Sequence, residues 1–219
     1  LKDYGYATAA FGKWHNTPST ESSATGPFDN WPTSLGFQYF YGFLAGEASQ
    51  YEPNLVRNTT IVRPPATPEG GYHLSEDIAD DAINWLRNHK ALQPDKPFYL
   101  YWASGAIHGP HHVHKEWADK YKGRFDDGWD AYRERAFERA KQKGWIPKDA
   151  KLTPRHPEMP SWESIPEKEK PFQRRLMEVL AGFAEHVDVQ AGRLIDELER
   201  LGYAENTIVI YIWGDNGSS

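Results

Sequence analysis

The 219-residue chain has no cysteine. Disulfides, thiolate zinc sites and a cysteine nucleophile are therefore excluded within this stretch, while the redox compartment stays open. Long apolar runs are missing too. None approaches the roughly 20 residues needed to cross a bilayer, so no membrane span is expected. Nor is there an excess of basic charge. The formal net charge is -6, with acidic and basic residues interspersed, whereas a nucleic-acid surface needs a clustered basic face. A small or neutral partner fits this balance, and no nucleic acid. There is no internal repeat, no initiator Met and no targeting signal. Leu1-Lys2-Asp3-Tyr4-Gly5 reads as the last turn of a helix closed by Gly5. The chain stops just after an apolar run, so the expectation is a fragment, truncated at both ends, from the middle of a larger domain.

What is present suits a packed interior: 39% of residues are hydrophobic and 14% aromatic, too many for a disordered chain. Tyr6 to Phe11 is a short strand candidate that runs straight into Gly12-Lys13-Trp14-His15. Residues 16–72 are dominated by Pro, Gly, Ser, Thr and Asn with interspersed aromatics, and read as a long, packed, loop-rich insertion. From Leu74 the apolar positions Leu74, Ile78, Ala82 and Leu86 recur every four residues behind Glu76 and Asp77, which predicts a helix capped near Ser75. Phe98 to Ala103 is a continuous apolar run, the pattern of a strand buried on both faces of a parallel sheet. His114 to Lys122 and a stretch from Trp129 to Ala140 are helix candidates, separated by a Pro-rich loop from the longest helix. That helix begins near Phe172, keeps helical spacing through Leu201 and stops at Gly202. Thr207 to Trp213 reads as the next buried strand. Helices alternating with buried strands imply an α/β fold with a predominantly parallel sheet and helices on both faces.

In such sheets ligands bind outside the carboxyl ends of the strands, and the polar residues fall there. The first strand is followed by Lys13 and His15, the aromatic strand by Ser104 to Pro110 with His108, and the last by Asp215 and Asn216. A cation, two imidazoles, a carboxylate and an amide suit an anionic ester and a hard metal. Asp and Asn oxygens ligate calcium or magnesium, and Lys neutralises a tetrahedral oxyanion. Composition alone does not separate sulfate from phosphate.

These residues also carry a resemblance. Gly5-Tyr6-Ala7-Thr8 followed by Gly12-Lys13-Trp14-His15 resembles the second signature of the type I sulfatases. His108-Gly109-Pro110 is similar to the His-x-Pro after that family's next active-site strand, and Asp215-Asn216-Gly217 to its metal-binding Asp-Asn-Gly. Gly26 to Asp29, Gly36 to Gly42, Tyr121 to Trp129 and Glu185 to Asp196 resemble the bacterial arylsulfatase branch. The likeness spans nearly the whole chain. It implies an alkaline-phosphatase-like fold, with residues 1–219 the central part of a single catalytic domain, and hydrolysis of aryl or carbohydrate sulfate esters. By the same resemblance Lys13 would contact the sulfate and the nucleophile. His15 would act on the nucleophile's hydroxyl and help break the sulfated intermediate, while His108 would bind the sulfate and assist protonation of the leaving oxygen. Asp215 and Asn216 would bind Ca2+, with Mg2+ second. The family's Cys-x-Pro-Ser-Arg or Ser-variant motif, whose first residue becomes formylglycine, is absent from this chain. So are an upstream acidic pair and a downstream sulfate-binding Lys. The resemblance therefore places the nucleophile outside this chain, implies a formylglycine-generating enzyme as partner of the full-length protein, and implies that the 219 residues alone are inactive. Periplasmic or secreted settings are favoured over cytoplasmic.

Plainer readings stand beside these. Lys13 also fits an ordinary surface lysine. His108, His111, His112 and His114 fit a zinc cluster, though without cysteine or an HExxH pattern. Asp215-Asn216-Gly217 is a common turn. Glu47, Gln50 and Glu52 sit in the aromatic loop, where they fit either substrate contacts or solvation of the loop, the latter preferred, and Asn58-Thr59-Thr60 fits a glycosylation sequon. The rival functions are a phosphomonoesterase, phosphodiesterase or phosphonate hydrolase of the same superfamily, and a non-catalytic ligand-binding relative.

Overall fold

The computed structural model describes residues 1–214, so Asp215, Asn216 and Gly217 lie outside the described residues. Among the described residues five strands form one sheet: β1 (Ala7–Lys13), β2 (Tyr39–Phe43), β3 (Leu55–Arg57), β4 (Thr60–Val62) and β5 (Phe98–Ala103), in the order β4-β3-β2-β1-β5. Both neighbours of β1 run parallel to it, with Lys13 opposite Phe43 and Gly12 opposite Ala103. The β2-β3 and β3-β4 pairings are antiparallel. Three strands therefore lie inside the segment that composition reads as loop. β2 hides there because its short aromatic run, Tyr39–Phe43, is interrupted by Gly42 and set among Pro, Gly, Ser and Thr. β3 and β4 form a hairpin too short for a periodic signal, turned at Asn58 with φ of 56°.

The helices are α1 (Leu74–Leu92), α2 (Lys115–Asp119), α3 (Gly128–Gln142) and α4 (Lys170–Arg200). The first turn of α1 is capped by His73, whose ring accepts from Ser75 N, so the cap lies two residues before the expected one. One face of the sheet, with Phe11, Tyr41 and Phe43, buries against Ile78, Leu86 and Leu194 of α1 and α4. Fully burying such a side chain is worth about 1.5–3 kcal/mol. On the other face, among the described residues, the cover is a loop-borne aromatic cluster. Ala10, Phe40 and Val56 pack there against Trp31, with Trp14, Phe28 and Phe37 around them, all carried by the segment between β1 and β2. Trp31 is held in place by its indole N–H, which donates to the Glu21 carbonyl at 2.8 Å. Toward β5 this cover thins to Phe37: Tyr99 and Tyr101 beside it are 40% and 42% exposed, while Phe98, Leu100 and Trp102 are partly buried on the opposite face.

Thr207 to Trp213 is the larger correction. The segment is irregular and outside the sheet, with Ile208 and Ile212 89% and 86% exposed. Apolar composition shows that a segment can be a buried strand. Pairing is non-local, and composition does not supply the neighbour.

The described chain forms two compact units, residues 1–113 with 183 onward, and residues 114–182. The sheet, α1 and the later turns of α4 belong to the first. The second holds α2, α3 and the first turns of α4 around Trp162, which lies edge-on to Trp129 at 5.0 Å and donates its backbone N–H to Asp130 at 2.8 Å. Among the described residues no helix is long and apolar enough to cross a membrane.

Candidate active site

Because β2, β1 and β5 are parallel, their carboxyl ends share one edge. Two glycines let the backbones approach there. A Cβ on Gly42 would lie 2.0 Å from the Gly12 carbonyl oxygen, and one on Gly12 2.0 Å from that of Ala103. Beyond β1 the pairing continues without regular strand, as Trp14 N and His15 N donate to the carbonyls of Phe43 and Leu44 at 3.0 Å each. Trp14 is anchored on the loop-covered face by its indole, which donates to Asn30 O at 3.1 Å. His15 then adopts φ of 60°, left-handed backbone that costs a non-glycine residue on the order of 1–3 kcal/mol and clusters at functional sites. Its ring lies over Gly46, where a Cβ would come within 2.6 Å of Nε2. Lys13 is partly exposed at the strand end, and among the described residues no carboxylate pairs with it.

The segment leaving β5 is braced from below. Ser104 Oγ accepts from Ala106 N at 3.0 Å and lies 3.4 Å from Ser75 Oγ, which donates to Gln50 Oε1 at 3.0 Å. Gln50 O accepts from Leu74 N at 2.7 Å. Gln50 and Ser75 are fully buried, so this hydrogen-bonded chain ties α1 and the β2 loop to the turn that presents His108. Gln50, read from sequence as solvating, is a structural brace. The loop after β2 thus lies between two imidazoles: its Leu44 and Gly46 meet His15, and Glu47 Oε2 stands 3.7 Å from His108 Nδ1.

Sequence reasoning brings Lys13, His15 and His108 to one edge, and the structure puts them there. It does not single out Gly46, and it names Glu47 without a position, because β2 is not legible as a strand and its loop therefore has no address. The other histidines go elsewhere. His112 stacks on Tyr51 at 5.2 Å, its carbonyl accepts from His73 Nε2 at 3.1 Å, and burial, then the neighbouring His111, hold its imidazole below the usual range. His114 opens the second unit. Among the described residues no three His, Asp or Glu side chains gather as metal ligands.

Two open clefts of about 420 and 320 Å3 lie at the opposite edge, both lined by Thr8 near the start of β1. Neither contains Lys13, His15 or His108.

The Sulfatase family model matches residues 1–219. The chain belongs to the sulfatase family. It is 31% identical to the uncharacterized sulfatase PB10D8.02c of Schizosaccharomyces pombe and 27% identical to an arylsulfatase of Klebsiella aerogenes, each aligned along the whole chain. It spans 40% and 46% of those two proteins, so it covers less than half of either. Among solved structures, BT4656 in complex with its substrate D-glucosamine-2-N,6-O-disulfate superimposes with a TM-score of 0.54 at 17% identity, covering 94% of this chain and 46% of that one. That likeness concerns the fold, the alkaline-phosphatase-like α/β architecture of type I sulfatases.

Proposed function

We propose that the protein containing this chain is a sulfuric ester hydrolase that cleaves sulfate monoesters to an alcohol and sulfate. One observation carries the reading: Lys13, His15 and His108, from two separate strand ends, share one edge of the sheet, with the loop after β2 between the two imidazoles. A lysine ammonium neutralises a tetrahedral oxyanion, and that is the role we give Lys13. An imidazole can both take up and give a proton, the role we give His15 toward the nucleophile's hydroxyl and His108 toward the leaving oxygen. Asp215 and Asn216 are hard oxygen donors whose chemistry fits Ca2+ before Mg2+, and such an ion would supply Lewis-acid polarisation of the sulfate. The nucleophile is a formylglycine outside this chain, made by a formylglycine-generating enzyme. Sulfated sugars are supported as a substrate class by the bound disulfate of the fold relative BT4656.

The test is turnover of 4-nitrophenyl sulfate against 4-nitrophenyl phosphate by the full-length protein. Sulfate should be preferred by at least about 100-fold, and Lys13→Ala should lower its turnover by about 10²–10⁴-fold. A phosphate preference would transfer the site to phosphoryl chemistry. Binding of sulfated sugar without turnover would leave a non-catalytic relative.

A further inference from the structure

The loop after β2 contributes more than backbone. His108 Nδ1 faces two acceptors: the Gly109 carbonyl oxygen at 2.9 Å and the Glu47 carboxylate at 3.7 Å. A carbonyl only accepts, so Nδ1 keeps its hydrogen in the neutral ring as well as in the charged one. Nε2 is then the atom that gains and loses a proton. A carboxylate beside Nδ1 orients the ring, the same logic by which a buried Asp fixes the tautomer of a catalytic imidazole.

The side chain of Glu47 is 67% exposed, which by itself describes a solvated glutamate. Its backbone is not free to wander, however. Leu44 O is bonded to His15 N, Gly46 lies under the His15 ring, and Gln50 is locked into α1 and Ser75. Glu47 is therefore fixed at its root between the two imidazoles. Glu52, from the same loop, shows the alternative: it is exposed and its backbone N–H bonds Ser49 Oγ.

We propose that Glu47 is a positioning residue for His108, holding the Nδ1 hydrogen toward the loop so that Nε2 delivers a proton to the departing alcohol. The inference rests on the sulfate-ester reading. In the step concerned a new S–O bond forms to the nucleophile and the ester S–O bond breaks. The electron pair goes to the leaving oxygen, which takes the proton from Nε2. A nitrophenolate leaves without that proton, whereas a sugar or alkyl alkoxide needs it. Glu47 thus matters most for unactivated alcohols, which makes those the esters this site is built to cleave.

The experiment uses the full-length protein and aryl sulfates running from 4-nitrophenyl to phenyl to 4-methoxyphenyl. Glu47→Gln keeps the shape and removes the charge. Its kcat/KM should fall at least tenfold more at the 4-methoxyphenyl end than at the 4-nitrophenyl end. Glu47→Asp should recover part of that difference, and in a His108→Ala background Glu47→Gln should add nothing. An equal fall across the series, or an undiminished effect without His108, overturns the proposal. If the wild-type protein cleaves only the matching aryl phosphates, the sulfatase reading fails, and the same slope measured on phosphates still decides the role of Glu47.

Discussion

The two edges of the parallel strands differ in kind. At the amino edge are the open clefts, about 420 and 320 Å3, lined by such residues as Leu35, Gly36, Asn88 and Leu92. At the carboxyl edge there is tight backbone instead: Gly12 and Gly42 in near-contact with neighbouring carbonyls, His15 in left-handed conformation, and a lysine with two imidazoles around one loop. Space and chemistry have separated. The strands of a parallel sheet all release their chains on the same side, so loops from distant parts of the sequence meet there. The other side receives the connections, such as the one from α1 into β5. Strain persists only where its surroundings hold it, which makes His15 a better pointer to function than either volume.

The largest effect that sharpens this contrast is expected at Gly46. A Cβ there would meet the tip of the His15 ring, with Nε2 at 2.6 Å, and a side-chain tip can move aside. Gly46 has no positive φ, so alanine fits its backbone. Gly46→Ala should thus leave the unfolding free energy of the full-length protein within about 1 kcal/mol while displacing the imidazole. A misplacement of about 1 Å can cost 10²-fold, so kcat/KM should fall at least tenfold. Gly42→Ala is the control, since its Cβ would meet backbone atoms of Gly12 at 2.0 to 2.6 Å and the loss should appear in stability instead. Equal activity in Gly46→Ala and wild type would remove His15 from the site.

How legible each edge was follows from the range of the signals. Local ones worked. The four-residue apolar spacing of α1 and α4, the Gly202 stop with φ of 72° and the apolar runs of β1 and β5 all read correctly. Lys13, His15 and His108 were legible because each sits just past a readable strand. Glu47 was not, since its position depends on β2 pairing with β1, and nothing in Tyr39 to Phe43 announces a partner. The same limit applies to Thr207 to Trp213, where composition implies burial while Ile208 and Ile212 lie exposed among the described residues. Gln50 shows the limit for polar residues: an amide in a polar loop reads as solvated until the helix N-terminus it braces is in view.

On the helix-covered face charges serve stability rather than chemistry, and pH exposes the difference. Glu197 of α4 accepts from Arg87 Nε and Nη2 at 2.9 and 3.1 Å and from Arg200. These guanidinium groups, Arg200 foremost, hold its carboxyl down to about 2. The folded value lies below the unfolded one of about 4.3. The contribution is therefore complete above pH 4.3 or so and fades as the pH falls toward 2. Both arginines are about half exposed, and solvent screening reduces the effect to about 1–2 kcal/mol. Denaturant unfolding of the full-length protein at pH 7 should show Glu197→Gln less stable by that amount, with the gap closing by pH 2. A gap independent of pH would mean that the glutamate packs rather than pairs.

The smallest effect is expected where a search by volume would place the ligand. Leu35 is 52% exposed on the larger cleft, and Asn88 is an exposed residue of the smaller. Neither lies on the edge that carries Lys13, and surface substitutions away from special features change stability by less than about 0.5 kcal/mol. Leu35→Ala and Asn88→Ala in the full-length protein should each alter kcat/KM for a sulfate ester by less than twofold. A tenfold rise in KM from either would show substrate reaching across to the amino edge. A tenfold fall in kcat would be harder still to reconcile with the carboxyl-edge site, because neither cleft is lined by Lys13, His15 or His108.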